Sequence, residues 1–313
     1  MTFRFYPLRF EFTAKQSLFF PPGKASNILR GALGVIFRGI ACVPECRHSG
    51  DARTCDIRHT CPYAKIFEPV ADGLGPSGLA DSPRPFVFRA RHLDGHTIHP
   101  GQSFYFDLNV FSLEPDTLAY FILTFAALAR EGLGPNRGKA ELQHVRRLPA
   151  GEVPEQMIYS SAGQMIAGHV DPVTLSLEPG EIVSNKLRIE FLTPTELKHE
   201  HKIAARPDFP ILFGRIRDRV CNLSALYGEG PIQIDYQASA ARAALIKTTN
   251  CEMRRQESDR RSSRTGQVHS IGGFIGAAEY EGPLTEFLPW LNAARYTGVG
   301  RQAVWGKGEI LIE

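Results

Sequence analysis

The last residues of the chain contain the densest group of side chains suited to anion chemistry. Residues 296–308 hold four glycines and two cations, which are Gly298, Gly300, Gly306, Gly308, Arg301 and Lys307. Glycine lets backbone N–H groups approach a phosphate without a Cβ atom in the way, and the cations add positive charge there. A strand pattern follows instead of a helix, so neither a P-loop nor a dinucleotide fingerprint applies. The segment predicts a phosphate-binding loop, with a tight turn between two strands as the alternative.

A second group of cations lies upstream of this loop. Five arginines crowd into one short stretch, and they are Arg254, Arg255, Arg260, Arg261 and Arg264. Because arginines neutralise nucleic-acid phosphates, the stretch is a candidate phosphate-backbone surface. A solvated flexible loop is the alternative, and the small net charge of the chain, +3, does not distinguish the two.

Acid–base chemistry is available in one short segment that follows a predicted strand. It consists of Lys198, His199, Glu200, His201 and Lys202. Two histidines flanked by two lysines would supply a general acid, a general base and positive charge for a phosphate. The alternative is a solvated polar turn. His269, in a strand beside the arginines, is a further candidate.

Four cysteines could hold a structural metal ion. Cys42, Cys46, Cys55 and Cys61 lie in one insertion after the first predicted helix. Four thiolates are a ligand set for tetrahedral zinc, and a segment with few apolar side chains would gain folding free energy from the metal. The spacing is less regular than that of paired Cys-x2-Cys knuckles. An iron–sulfur cluster and free cysteines in a reducing cell are therefore the alternatives.

The composition is that of an ordinary globular protein. Hydrophobic residues make up 43% and charged residues 22% of the 313 residues, a length that favours two domains. No window is long and apolar enough to span a membrane, and the N-terminus has a strand pattern instead of a signal peptide. We therefore expect a cytoplasmic protein without a membrane partner and without stable disulfides.

The hydrophobic periodicity of the first half predicts the order β-α-β-β-α-β. Strands are expected at 6–12, 86–91, 104–110 and 141–147, with helices over about 25–40 and 116–130. The first helix is expected to bury Leu29, Leu33, Ile36 and Ile40. A glycine-cation loop at 132–139 lies before the last strand, but it has no Walker spacing and no following helix, so nucleotide hydrolysis is excluded.

The second half repeats this order. Strands are expected at 187–191, 246–254, 267–280 and 310–312, with helices over about 208–227 and 284–294, the latter containing Pro289. The sequence thus predicts an α+β protein of two tandem ferredoxin-like (RRM-like, βαββαβ) domains. They cover residues 1–150, with a Cys-rich insertion at about 41–85, and residues 186–313, joined by a linker at 151–185.

Several short motifs follow one another along nearly the whole chain. They are Leu29-Arg30-Gly31-Ala32-Leu33-Gly34, Cys61-Pro62-Tyr63 with Phe67, Phe191-Leu192-Thr193-Pro194, Gly272-Gly273-Phe274-Ile275-Gly276 with Tyr280, and the terminal Gly-x-Gly-Arg…Trp-Gly-Lys-Gly. In this order they resemble the RAMP superfamily of CRISPR-associated proteins. Within it, the chain resembles the Cas-six family of endoribonucleases, which cut precursor CRISPR RNA within its repeats.

The resemblance implies cleavage of CRISPR repeat RNA without a metal or other cofactor. A 2′-hydroxyl attacks the adjacent phosphorus and leaves a 2′,3′-cyclic phosphate. Many family members carry a histidine on or just after the first helix, but residues 25–40 contain none, and the nearest, His48, lies in the cysteine insertion. We therefore assign the acid–base role to His199 or His201, with Lys198 or Lys202 stabilising the charged phosphorane.

Two other functions stay open. A non-catalytic RNA-binding subunit of a CRISPR effector complex would use the same loops without cutting and would contact other subunits of that complex. The missing first-helix histidine favours this alternative. An unrelated zinc-bearing protein would use its glycine loops only as turns, and the duplicated pattern argues against it.

Overall fold

The computed structural model describes residues 1–42, 55–69, 82–150, 154–163, 165–166, 169–181, 183–261 and 266–313. The chain forms two compact units. The N-terminal unit is Phe5–Val173, and the C-terminal unit is Thr174–Glu313 together with Met1–Arg4. Within the described ranges, no helix has the length and apolar character needed to cross a membrane.

The N-terminal unit has the predicted β-α-β-β-α-β order with small additions. Its elements are β1 (Thr2–Ala14), β2 (Leu18–Phe19), α1 (Ala25–Ala41), α2 (Pro62–Phe67), β3 (Phe86–Arg89), β4 (Thr97–Ile98), β5 (Ser103–Val110), α3 (Pro115–Glu131) and β6 (Ala140–Arg147). The main strands pair antiparallel in the spatial order β3-β5-β1-β6, while β2 pairs with β4. Of the predicted insertion at 41–85, the structure describes residues 41–42, residues 55–69, which include α2, and residues 82–85.

The segment predicted as a linker, residues 151–185, contains regular secondary structure. Its described part contributes three strands, β7 (Gln156–Ser160), β8 (Met165–Ile166) and β9 (Val173–Ser176). β7 pairs with β6 and β8 with β7, which extends the sheet, and β9 pairs with β1. Ile158 and Val173 are buried, so the segment adds to a folded sheet where the Gly, Pro and Ser content had suggested a spacer.

The C-terminal unit has the same order. Its elements are β10 (Lys186–Thr195), β11 (Lys198–His199), β12 (Lys202–Ile203), α4 (Phe209–Tyr227), α5 (Tyr236–Ala243), β13 (Lys247–Gln256), β14 (Asp259–Arg261), β15 (Val268–Ser270), β16 (Gly273–Glu281), α6 (Leu288–Thr297) and β17 (Ile310–Ile312). Its four-stranded sheet has the order β13-β16-β10-β17. In both units the chain order of the strands is 2-3-1-4 across the sheet. The ferredoxin-like duplication predicted from the sequence is confirmed.

Proline and glycine set the ends of the helices that support the sheets. α3 has Pro115 in its first turn and ends at Gly132, whose φ is +119°. α4 ends at Gly228. Pro289 was expected in the middle of a helix, but 285–287 form a 3-10 turn and Pro289 lies in the first turn of α6. It is tolerated there because the first N–H groups of a helix have no intrahelical acceptor.

One prediction for α1 is wrong in part. Leu29 and Leu33 are buried as expected, but the next inward residue is Phe37, which is fully buried, whereas Ile40 is 39% exposed. The ring of Phe37 contacts Phe67 and Phe121, with ring centroids 5.1 and 5.8 Å apart. Ile40 and Phe37 are both at helical spacing from Leu33, so the spacing alone does not decide which of them is buried. The aromatic rings that pack against Phe37 decide it.

The core of the N-terminal unit is built from phenylalanines on alternate strand positions. Phe10 of β1 is the cross-strand partner of Phe106 on β5, and their rings stack at 5.5 Å. Phe125 of α3 packs against both, at 4.7 and 4.9 Å. All three are at most 1% exposed.

We expect Phe106→Ala to lower the free energy of unfolding of the N-terminal unit by about 3–5 kcal/mol, because it leaves a cavity between sheet and helix. Phe19→Ala is the matched control. Phe19 is 39% exposed, so its loss should change stability by about 0.5 kcal/mol or less. Urea denaturation followed by circular dichroism measures both, and equal effects would show that the Phe10–Phe106–Phe125 cluster is not the core.

Candidate functional site

The candidate site is built around the end of β10. The register between β10 and β16 shifts between Phe191 and Thr195, so the last residues of β10 leave the regular ladder. Buried threonines hold this stretch: Thr195 Oγ1 donates to the Thr193 carbonyl at 3.0 Å, and Thr193 Oγ1 accepts the N–H of Glu309 at 2.9 Å. We call residues 193–197 the Thr193–Leu197 segment.

The terminal glycine loop, residues 298–308, docks on this segment. The Arg301 N–H donates to the Glu196 carbonyl at 3.0 Å, and the Gly308 N–H donates to the Pro194 carbonyl at 3.1 Å. Gly300 has φ +75°, and a Cβ there would lie 2.4 Å from the Glu196 oxygen. At Gly308, with φ +67°, a Cβ would lie 1.9 Å from the Val299 oxygen.

These glycines are therefore needed for the approach of the chain's own backbone, as the tight-turn alternative requires. The loop still offers donors to a ligand. The N–H groups of Gly300 and Gln302 have no hydrogen-bond acceptor within the described part of the chain. They flank the N–H of Arg301, which is bound to Glu196, and each is a single donor open to an anion.

The two cations of the loop differ in their surroundings. The Arg301 side chain is 56% exposed, and its guanidinium donates to the Glu196 carboxylate at 2.6 Å. Lys307 is only 4% exposed. The structure therefore favours a role for Lys307 within the loop over the direct RNA contact predicted from the sequence. Glu196 was missed by sequence reasoning, because 105 residues separate it from its partner.

The structure describes the predicted arginine cluster in part. Arg254 and Arg255 are exposed on β13, and Arg260 and Arg261 belong to β14, where Arg260 is the cross-strand partner of His269 on β15. Arg264 lies outside the described residues. Arg255 pairs with Glu257, while Arg254 makes no ion pair with any described residue.

The histidine segment forms a hairpin of two short strands, β11 and β12, with His199 opposite Lys202. Glu200 and His201 form its turn in the left-handed region, with φ +47° and +64°. This is the type I′ pattern that usually carries Asn-Gly. Lys198, His199, His201 and Lys202 are all exposed, and His199 Nε2 lies 3.7 Å from a Glu200 carboxylate oxygen.

A pocket of about 320 Å³ connects these features within the C-terminal unit. Its walls are residues 195–196 after β10, residues 203–205 after the hairpin, residues 253–255 of β13, and Gly273 with Phe274 of β16. Glu196 in this wall accepts a hydrogen bond from the Arg301 guanidinium of the terminal loop. Ile203 at the end of the hairpin, Arg254, Arg255 and Glu196, which are far apart in sequence, therefore border one cavity. The glycine loop is linked to it through the ion pair between Arg301 and Glu196.

The predicted metal ligands are only partly described. Cys42 and Cys61 are buried and pack together with Ala64, Cys55 is partly exposed, and Cys46 lies outside the described residues. Burial and the neighbouring Cys61 raise the pKa of the Cys42 thiol to about 11. No group of three or more His, Cys, Asp or Glu side chains among the described residues is placed to hold a metal. The zinc site stays a prediction.

Comparisons with known proteins identify the family. Residues 189–310 match the family model of the CRISPR-associated endoribonuclease Cas6, and residues 3–171 match a model described as an N-terminal domain. The C-terminal part of the chain, residues 189–310, belongs to the CRISPR-associated Cas6 family. This is the Cas-six family that the sequence motifs resemble. The comparison with curated proteins gives no match.

Solved Cas6 structures share the fold over the full length. A Cas6 product complex is 16% identical, with 99% of each chain covered and a TM-score of 0.55. A second Cas6 product complex is 16% identical over 100% of both chains, with a TM-score of 0.54. Thermus thermophilus Cas6 is 14% identical over 100% of this chain and 99% of that one, with a TM-score of 0.53. At these identities the likeness shows the fold.

The glycine geometry predicts unequal costs for two Gly→Ala changes. Gly230 also has positive φ, +118°, but a Cβ there would meet nothing within 4 Å. Gly230→Ala should cost roughly 1–2 kcal/mol of backbone strain. Gly308→Ala should cost more than about 3 kcal/mol, because the Val299 carbonyl must also move. Thermal unfolding measures both, and equal midpoints would show that the loop does not need the close approach.

The cysteine insertion predicts a metal. Protein purified without chelators should contain about one zinc per chain, because the four thiolates would complete a tetrahedral site. Cys61→Ser should remove the metal, and Cys251→Ser, outside the insertion, should retain it. Elemental analysis measures both. Parent protein without zinc or iron would contradict the prediction.

Proposed function

We propose that this Cas6-family protein is a CRISPR repeat-RNA-specific endoribonuclease that processes precursor crRNA. The observation that carries the proposal is a cavity of the C-terminal unit lined by Ile203 at the end of the histidine hairpin, by Arg254 and by Glu196 of the Thr193–Leu197 segment. Membership of the Cas6 family supports an RNA-cleaving enzyme. The exposed arginines and the free N–H groups of the glycine loop are suited to phosphates.

The proposed reaction is an intramolecular transesterification. A base removes the proton of the 2′-hydroxyl, whose oxygen bonds to the adjacent phosphorus. The bond from phosphorus to the 5′-oxygen then breaks, and an acid protonates that oxygen. The products are a 2′,3′-cyclic phosphate and a 5′-hydroxyl, with no metal or other cofactor required.

We place these roles on the hairpin. His199 and His201 are the proposed acid and base, because imidazole titrates near neutral pH. Lys198 or Lys202 would stabilise the additional charge on phosphorus, together with Arg254, which is exposed and unpaired among the described residues. The hairpin is exposed, which allows an RNA strand to reach these side chains.

Binding is proposed to use the same cavity. Arg254, Arg255 and Arg301 would contact phosphates, and Gly300 would donate its N–H. The Arg301 guanidinium forms an ion pair with Glu196, so a phosphate would compete with the Glu196 carboxylate for it. Arg260 and Arg261 of β14 stay in the proposed RNA surface, as does Arg264, which lies outside the described residues.

A non-catalytic RNA-binding subunit is the second candidate function. α1, which is described in full, contains no histidine, and no described side chain other than Glu200 lies in salt-bridge range of His199. Such a subunit would bind the repeat through the same surface and contact other subunits of an effector complex.

Incubating the purified protein with repeat RNA in EDTA tests the proposal. The RNA should be a single repeat from the CRISPR array of the source genome, cut at one position to give a 2′,3′-cyclic phosphate and a 5′-hydroxyl. A 2′-deoxy nucleotide at that position should abolish cleavage. Tight binding without cleavage would favour the subunit alternative, and neither binding nor cleavage would contradict both.

The hairpin assignment makes a kinetic prediction. His199→Ala/His201→Ala should slow single-turnover cleavage by at least about 10²-fold with nearly unchanged RNA affinity, because positioned proton transfer contributes about 10²–10⁴-fold. His96→Ala/His99→Ala, which removes two exposed histidines of the N-terminal unit, is the matched control. Lysine variants at 198 and 202 should lose both affinity and rate, because their charge acts before and during the reaction.

Parental cleavage by the hairpin double variant would contradict this assignment. The next residues to replace would then be His48 and His269, which lies on β15 opposite Arg260 of β14.

A further inference from the structure

The N-terminal unit contains a loop at the same topological position as the terminal glycine loop. The N-terminal glycine loop, residues 132–139, joins α3 to β6, as the terminal loop joins α6 to β17. Both connect the second helix of a βαββαβ unit to its last strand. Both also begin with two glycines at positive φ, Gly132 and Gly134 here against Gly298 and Gly300 there.

This loop is held firmly on the connection between β1 and β2. The Asn136 side-chain amide donates to the Ser17 carbonyl at 2.8 Å, and the Lys139 N–H donates to Gln16 Oε1 at 3.1 Å. A Cβ at Gly138 would lie 2.3 Å from the Ser17 oxygen. The loop conformation is therefore fixed before any ligand binds.

The charges of the two loops differ. Arg137 and Lys139 are exposed, and neither side chain has a hydrogen-bond or ion-pair partner among the described residues. Residues 132–139 contain no acidic side chain. In the terminal loop, by contrast, Arg301 is bound to Glu196 and Lys307 is buried. Of the two loops, the N-terminal one is therefore the loop whose cations, Arg137 and Lys139, are exposed and have no partner among the described residues.

A further feature points to a ligand with bases as well as phosphates. Phe19, whose carbonyl oxygen lies against Gly134, is an aromatic residue 39% exposed to solvent. Exposed aromatic rings next to cations bind single-stranded nucleic acids by stacking and by phosphate contacts.

We propose that the N-terminal glycine loop is a second RNA contact, in which Arg137 and Lys139 bind phosphates of single-stranded RNA and Phe19 stacks on a base. The inference rests on the proposed function, since it assigns a further binding surface for the same class of RNA. It concerns binding and leaves the assignment of the cleavage chemistry unchanged.

Fluorescence anisotropy with 5′-fluorescein-labelled repeat RNA in a KCl series tests the inference. Arg137→Asn/Lys139→Gln removes both charges, and asparagine tolerates the positive φ of Arg137, +51°. Affinity should fall several-fold. The slope of log K against log[KCl] should become shallower by about 1.4, from two phosphate contacts at about 0.7 each on single strands. Phe19→Ala should weaken binding without changing the slope, because stacking releases no counterions.

Lys186→Gln/Lys247→Gln is the charge-matched control, since both lysines are exposed and lie opposite Glu281 at the far end of β10 from the Thr193–Leu197 segment. It should keep the parental slope. Parental affinity and slope in the Arg137/Lys139 variant, with unchanged thermal unfolding, would overturn this inference alone. A parent protein that does not bind repeat RNA would overturn the proposed function and this inference with it.

Discussion

Close backbone approach to the Thr193–Leu197 segment is the constraint on which the site depends. Gly300 meets the Glu196 carbonyl on one side, and a Cβ on Gly273 of β16 would lie 2.4 Å from the Thr195 carbonyl on the other. The segment cannot move toward either neighbour, because both contacts already require glycine. The hairpin that follows it, the cavity wall that it forms and the partner of Arg301 are thereby fixed together.

The two ferredoxin-like units have glycine loops at the same topological position, but the cations of these loops differ in burial and in ion pairing. The sheets share the strand order, and both loops are held on backbone carbonyls by glycines. Packing explains the glycines in both cases. The cations are therefore more informative than the glycines. Lys307 is buried in the terminal loop, and Arg301 is exposed but paired with Glu196, so a phosphate must compete with that carboxylate.

Periodicity predicted those elements whose burial repeats regularly. Leu212, Ile216, Val220 and Leu223 of α4 are all fully buried, as their spacing indicates. α5 was missed because it is short and polar, although Asp235, whose side chain accepts the Ala238 N–H, is an N-cap signal. The site was harder. Residue types predicted its cations and histidines, but the Glu196–Arg301 pair and the cavity depend on contacts between distant segments.

The affinity of Glu196→Gln for repeat RNA tests most directly whether the Thr193–Leu197 segment and the terminal loop form a phosphate site. Glutamine keeps the shape of the side chain but removes the negative charge that holds Arg301. We expect tighter binding at low salt and a steeper salt dependence, because Arg301 is released to a phosphate. Unchanged or weaker binding by a folded Glu196→Gln protein would contradict it and leave the terminal loop as a turn.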